Sequence, residues 1–357
     1  MTLSFAEAIN KALHDSMSSS QEVFCFGLGI DDPMRIFGTT KGLKEAFPER
    51  IFDTPTAENG MTGIGVGAAI AGMRPVMMHQ RVDFFLLALD QLINSAAKWY
   101  YMFGGKRSVP ATIRLIVGRG WGQGPTHAQN LQATFAHIPG LKVVMPSTPQ
   151  DAYSMLHDSI FDNNPVVFLE HRWLHNQQGQ VDCRLTKSNQ DLGYLPLHKA
   201  RVVNQGNDIT LVSMSFLTIE AIRAVDALAE QGINVDLIDL RSIKPIDWST
   251  IEASVTRTGK LLVLDSGAHS GSVAGEIIAH VTESNFSDLS TAPQRLTMPD
   301  IPEPTSYGLT KDFYFGAKEI ADKVHEMTTN SSSVDLYQDL IREGHHDVPG
   351  EYFKGPF

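Results

Sequence analysis

The chain has 357 residues, 42% of them hydrophobic and 19% charged, with a formal net charge of -11, which is long enough for two cored domains. The acidic balance argues against nucleic acid or an anionic membrane as the main partner, and no window reaches the about 18 uninterrupted apolar residues of a membrane span. Two distant cysteines, Cys25 and Cys183, and an N-terminus without a leader pattern make the cytoplasm the expected compartment.

Alternating apolar runs and helical patterns predict an α/β architecture of two parallel-sheet, three-layer domains. The spacing of Ala8, Ile9 and Leu13 predicts a helix from Phe5 to about Met17, then a strand over 23–28 and a loop carrying Asp31-Asp32-Pro33. A helix is expected from Glu58 to near Gly72, and a strand over 74–79. Residues 84–101 predict one long helix, and 111–117, 143–145 and 166–169 predict buried strands. The first domain is thus expected over 1–172, with the polar, Gln-rich stretch 173–207 as a connecting segment. The second, 208–327, reads as strands over 208–215, 234–240 and 260–265, with helices over 218–230, 248–256, 273–282 and 315–327. That βαβ order implies a parallel sheet, and the polar residues 328–357 are expected to form an extended arm.

Most of the chemistry sits in one stretch. Thr54-Pro55-Thr56-Ala57-Glu58 opens a helix of small and apolar residues. The unpaired N–H groups of a first turn favour a charged Glu58, whereas apolar burial favours its protonated form. A carboxyl held between those pressures suits proton transfer near neutral pH; on this segment alone, an ordinary first-turn cap competes on even terms. The glycines of Gly63-Ile64-Gly65-Val66-Gly67 lie inside the helix and do not join strand to helix. They therefore read as a surface for close helix approach and not as a dinucleotide loop.

The run Gly118-Arg119-Gly120-Trp121-Gly122-Gln123-Gly124 follows a strand and permits close backbone approach to a ligand, but it lacks the Lys-Ser/Thr of a phosphate loop. His127 at its exit, past the carboxyl end of a parallel strand, is a site candidate, weighed against the commoner structural histidine. His79-Gln80-Arg81 reads either as a salt-bridged loop or as a pocket rim, and His345-His346-Asp347 as a solvated tail before a metal site. No HExxH, GxSxG or CxxC pattern occurs, which removes common hydrolase and redox classes.

The motifs Thr54-Pro55-x-x-Glu58, Gly65-x-Gly67-Ala68-Ala69-x-Ala71-Gly72-x-Arg74-Pro75 and Asp90-Gln91-x-Ile93-Asn94-Ser95-Ala96-Ala97-Lys98 share an order with Pro139-Gly140-Leu141-Lys142-Val143-Val144 and Asp239-Leu240-Arg241-Ser242-Ile243-Lys244-Pro245. Over residues 4–327 the chain resembles the beta subunit of thiamine-diphosphate-dependent 2-oxo acid dehydrogenases, the decarboxylating component of pyruvate, branched-chain and acetoin type. The resemblance implies a transketolase-like pyrimidine-binding domain followed by a transketolase C-terminal-like domain. It implies that Glu58 activates the pyrimidine of thiamine diphosphate and that Phe84 packs on that ring. Leu28 would border the cofactor where the family often carries an acidic residue, and His127 would guide reductive acyl transfer to a lipoyl group. Some members also hold a monovalent cation, K+, through backbone carbonyls near Ala111, Ser159, Ile160, Asp162 and Asn164.

The Gly-Asp-Gly that holds the diphosphate and its Mg2+ in such enzymes does not occur here. The resemblance therefore implies half an active site, completed by an alpha subunit in an alpha-beta heterotetramer with a second beta chain, and serving a lipoyl-bearing acyltransferase. Departures at Leu28, His79, Arg81, Arg119 and Trp121 surround the expected substrate entrance and suggest a specialised acceptor, such as a sugar or other carbonyl compound. Two rival readings stand beside this one: a split transketolase-like carboligase, and a non-catalytic scaffold or regulatory subunit.

Overall fold

In the computed structural model, which describes residues 1–32, 36–119, 124–184, 195–333, 336–342, 348–350 and 352–353, the apolar runs become the strands of two sheets. In chain order the strands are β1 (Thr2–Ser4), β2 (Val23–Gly27), β3 (Ile51–Asp53), β4 (Arg74–His79), β5 (Thr112–Val117), β6 (Lys142–Val144) and β7 (Val166–His171). They continue with β8 (Gln178–Gln180), β9 (Arg201–Asn204), β10 (Ile209–Ser213), β11 (Val235–Asp239), β12 (Ser242–Lys244), β13 (Leu261–Ala268) and β14 (Gln294–Met298). The first sheet runs β12-β6-β7-β5-β4-β2-β3 and the second β14-β13-β10-β11-β9, while β1 and β8 form a separate antiparallel pair. From β3 to β6 every pairing in the first sheet is parallel, as expected of continuous apolar runs covered on both faces.

Both sheets are mixed at one edge. β9 closes the second sheet antiparallel to β11, and β12, from the second half of the chain, adds antiparallel to β6 of the first. The stretch 173–207 is thus more than a connector, because it contributes β8, β9 and the buried Trp173. The expected single helix over 84–101 is instead a succession: α-helical Val82–Phe85, a 3-10 turn Leu86–Ala88, a π-helical Gln91–Ala96 and α-helical Ala97–Met102. Apolar residues three and four apart suit all these turn widths, so periodicity does not separate them.

A helix over Pro149–Phe161 adds to the expected elements. Thr148 caps it by accepting from the Asp151 amide, Pro149 sits in its first turn, and it packs along the Phe5–Ser19 helix. The tail, where described, is not an extended arm. Phe353 is buried with its ring centroid 6.4 Å from that of Trp173, so the chain end returns to the first half; burial of that aromatic face outweighs the freedom of a polar arm. His345-His346-Asp347 lie outside the described residues.

One apolar cluster runs from Phe26 and Met77 through Val212 and Ile238 to Val263, so the two sheets share a core. Polar contacts pin the same junction: Asp151 accepts from Arg201 at 2.6 Å and from Arg241 at 2.8 Å, and Gln132 donates to Asp265 at 2.6 Å. Among the described residues, no helix is long and apolar enough to cross a membrane.

Candidate active site

Gly65 decides where Glu58 stands. A Cβ at that position would lie 2.7 Å from Met77 Sδ and from Phe26 Cζ, so glycine lets the Glu58–Ile70 helix settle onto β2 and β4. Glu58 is its first residue, and it lines a pocket at the carboxyl ends of β3, β2 and β4, where open parallel sheets take ligands. Leu28, His79 and Phe84 line the same pocket, with Phe26, Met61 and Met77 as apolar walls. Leu28 follows directly on β2, and the next amide, Gly29 N–H, donates to Asp53 Oδ1 at 2.8 Å and fixes the turn.

His127 joins this group through Phe84. Their rings meet edge-on with centroids 5.2 Å apart, and the Thr126 hydroxyl lies 2.9 Å from His127 Nδ1. Gln129 Nε2 donates to Asp83 Oδ1 at 2.7 Å, tying the segment of His127 to the segment of Phe84. Desolvation pushes the His79 pKa down to about 4, so a neutral imidazole stands at the pocket wall near neutral pH.

Two expected entrance residues are elsewhere. Arg81 is buried and absent from the pocket lining; its Nη1 donates to the Gln80 carbonyl and its guanidinium lies 5.3 Å from the Phe37 ring centroid. Arg119 stacks at 4.2 Å on both Trp173 and Tyr314, in a crevice between the two halves. Guanidinium planes gain from aromatic faces while the stems bury, and here that outweighs exposure at a rim. Trp121 lies outside the described residues.

Four of the five carbonyls expected at a monovalent-cation site accept hydrogen bonds within the protein. Those of Ile160 and Asp162 accept from Arg74 Nη1 at 3.1 and 3.0 Å, that of Ser159 from the Asp162 amide, and that of Ala111 from the Val166 amide. The Asn164 amide is turned onto Asp162 Oδ1 at 2.8 Å. A fixed guanidinium serves two of these oxygens, and its charge opposes a second cation beside them. Among the described residues no group of three or more His, Cys, Asp or Glu could hold a metal ion.

The pocket fits one end of thiamine diphosphate. An aromatic face, a carboxylate and apolar walls suit a flat aminopyrimidine, whereas among the described residues no lysine or arginine lines the pocket to meet a diphosphate. Phe26, Met61 and Met77 line the pocket without having been singled out from the sequence, whereas Gln80 belongs to the segment read as a pocket rim. Strand alternation around His79 is the signal that would have turned Met77 inward.

Residues 1–177 match the transketolase pyrimidine binding domain and residues 198–320 the transketolase C-terminal domain. Over 306 residues the chain is 39% identical to the pyruvate dehydrogenase E1 component subunit beta-1, mitochondrial, of Arabidopsis thaliana, a match covering 85% of this chain and 84% of the relative. The chain belongs to the family of 2-oxo acid dehydrogenase E1 beta subunits. Other E1 beta relatives agree. The acetoin:2,6-dichlorophenolindophenol oxidoreductase subunit beta of Cupriavidus necator is 36% identical over 329 residues, 89% of this chain and 95% of the relative. The 2-oxoisovalerate dehydrogenase subunit beta of Bacillus subtilis is 36% identical over 315 residues, 88% of this chain and 94% of the relative. A solved split-gene transketolase, an inactive beta4 tetramer, shares the fold at a TM-score of 0.72 and 19% identity, covering 92% of this chain and 98% of that one. The resemblance read from the motifs is borne out, and E1 beta subunits are components of thiamine-diphosphate-dependent oxidoreductases.

Proposed function

We propose that this chain supplies the cofactor-activating half of a 2-oxo acid dehydrogenase active site, and that an alpha subunit supplies the half that holds the diphosphate and Mg2+. The observation that carries the reading is the meeting of Glu58 and Phe84 in one pocket without a cation among its described lining residues, with His127 against the Phe84 ring. Thiamine diphosphate, when bound, supplies the carbon nucleophile that attacks the oxo carbon.

Glu58 would hold and return a proton at its carboxylate oxygen when an aminopyrimidine is bound in the pocket. Phe26, Met61 and Met77 exclude water from that exchange. Phe84 would pack on the base, and its T-shaped contact with His127 would position the imidazole to serve acyl transfer to a lipoyl-type acceptor. His79, held neutral, adds a polar wall without adding charge.

The partner surface lies alongside. Gly60 and Gly67 face open space on the Glu58–Ile70 helix, where Ile64 is 61% exposed, and Leu87 and Tyr101 on the neighbouring segments are 66% and 89% exposed. Apolar groups left in water at this density are what an alpha subunit and a second beta chain would cover in a heterotetramer. Calorimetric titration of thiamine diphosphate and Mg2+ tests the reading. Binding is expected only when the chain is mixed with its alpha partner, and tight binding by the chain alone would overturn the half-site.

A further inference from the structure

Another cavity opens between the two halves of the chain and shares no lining residue with the Glu58 pocket. The Gln132–Ala136 helix and the residue after it form one wall, β12 and the turn that follows it form a second, and the first turn of the Val273–Ser284 helix forms a third. The cavity measures about 760 Å³, inside the range of about 300–1,000 Å³ typical of ligand pockets, which also favour domain junctions.

Part of its lining is apolar and rigid. Trp248 stacks on His280 with 3.8 Å between ring centroids and 18° between planes, and His280 Nε2 lies 2.8 Å from Glu252 Oε1. The indole is thus held by a residue outside the lining while it borders the cavity, with Ile243 and Ile246 beside it. Asp247 fixes the turn between Ile246 and Trp248, because its carboxylate accepts from Ser249, Thr250, Lys199 and the Ala200 amide. An aromatic wall fixed in advance receives an apolar group with little further ordering.

The rest is charged, with both signs present. Lys244 and Glu276 are the lysine and the carboxylate among the described lining residues, and His137 is the other titratable group there. Lys244 Nζ is anchored across the junction by donating to the Ala136 carbonyl at 2.5 Å, which leaves the other donors of the ammonium for a ligand. Desolvation lowers the Lys244 pKa from its ordinary value, and the charge of Glu276 opposes that shift. Yet among the described residues no ion pair closes between the two, and no group donates to the Glu276 carboxylate. Ser272 accepts from the Gly275 amide and from Arg295 Nη1, both at 3.1 Å, while its own proton goes to no described acceptor. A first-turn Glu is favoured by its helix without any ligand, so the inference rests on the set and not on that carboxylate.

We infer that this cavity binds an apolar α-amino acid, aromatic ones foremost, with its carboxylate on Lys244 and Ser272, its ammonium on Glu276 and its side chain against Trp248. Opposite charges that face one cavity without pairing match a zwitterion, whose two charged ends stand close together on one carbon. A simple carboxylate would meet Glu276, and a simple amine would meet Lys244, each at the cost of a like-charge approach. An uncharged apolar molecule would cover both charges without answering either. The amino acid satisfies both and still offers an apolar group to the indole.

Calorimetric titration of the full chain with L-phenylalanine tests this, beside phenylpropionate, which lacks the ammonium, and phenylethylamine, which lacks the carboxylate. Phenylalanine is expected to bind about tenfold more tightly than either analogue, the scale of one lost hydrogen bond to a charged group. Glu276 is exposed, so Glu276→Gln should keep the wild-type Tm. Its affinity for phenylalanine should fall about tenfold while its affinity for phenylpropionate does not fall. Trp248→Leu should weaken phenylalanine and phenylpropionate alike. No heat from phenylalanine at millimolar concentration, equal affinity for the three probes, or undiminished phenylalanine binding by Glu276→Gln overturns the site. The same titration on the chain assembled with its alpha partner should retain the binding; loss there would show a subunit contact filling the cavity and would overturn the amino-acid site as well.

Discussion

The Phe84 ring stands edge-on to the His127 imidazole, with 5.2 Å between centroids and 88° between planes. A contact of this kind is worth about 0.5–1.5 kcal/mol beyond the area it buries, and it links the residue facing the expected base to the residue facing the expected acceptor. Phe84→Ala should therefore weaken thiamine diphosphate binding about tenfold in the assembled enzyme. His127→Ala should spare decarboxylation coupled to an artificial electron acceptor and depress natural acyl transfer. Equal losses in both assays would remove His127 from the transfer step.

Glu58 makes the sharpest prediction. Glu58→Ala is expected to leave the far-UV spectrum and melting profile intact and to slow exchange of the cofactor's acidic carbon proton by about a hundredfold or more, the scale of a lost proton-transfer group. An exchange rate equal to wild type in the assembled complex would reject the assignment and revive the scaffold reading.

Asp151 and Arg241 hold the two halves together. Arg241 Nε donates to Asp151 Oδ1 at 2.8 Å, and both groups are buried. Arg241→Met strips a buried carboxylate of one partner and should cost about 3 kcal/mol in urea denaturation. The double variant Asp151→Leu, Arg241→Met should recover part of that loss, since no uncompensated charge remains at the pair. A single-variant loss below about 1 kcal/mol, the range of exposed pairs, would contradict the burial.

Asp247 sets an acid limit to stability. Burial by itself would raise its pKa, but hydrogen bonds from Thr250, Ser249, Lys199 and the Ala200 amide outweigh burial and bring the value from 3.8 to about 2. The folded pKa is the lower one, so the stabilisation is full above pH about 4 and is lost as pH falls from there through about 2. Asp247→Asn should therefore lower stability at neutral pH and flatten its decline between pH 4 and 2. Parallel decline in both proteins would show that other groups govern the acid limb.

Glu58 was legible in the chain because its surroundings are local: a loop, a first helical turn and a run of small residues are written consecutively. The parallel strands were legible for a similar reason, since strands covered on both faces become unbroken apolar runs. The short elements were not. Ser242–Lys244 is three residues without a period, and only the shared core of the two halves brings it to the edge of the first sheet. The meeting of Phe84 with His127 was likewise undetermined by either motif, because it depends on β4 and β5 lying side by side.

The sequence by itself determined the fold class, the family and the helix that carries Glu58, since each rests on patterns that repeat or succeed one another along the chain. Tertiary structure alone decided that Arg74 takes two of the carbonyls expected to hold a cation, that Arg81 and Arg119 turn from the pocket onto aromatic rings, and that Ser215 is strained with its hydroxyl unpaired. Each of those outcomes is a competition for partners among groups far apart in sequence, and packing settles it only once the sheets are assembled.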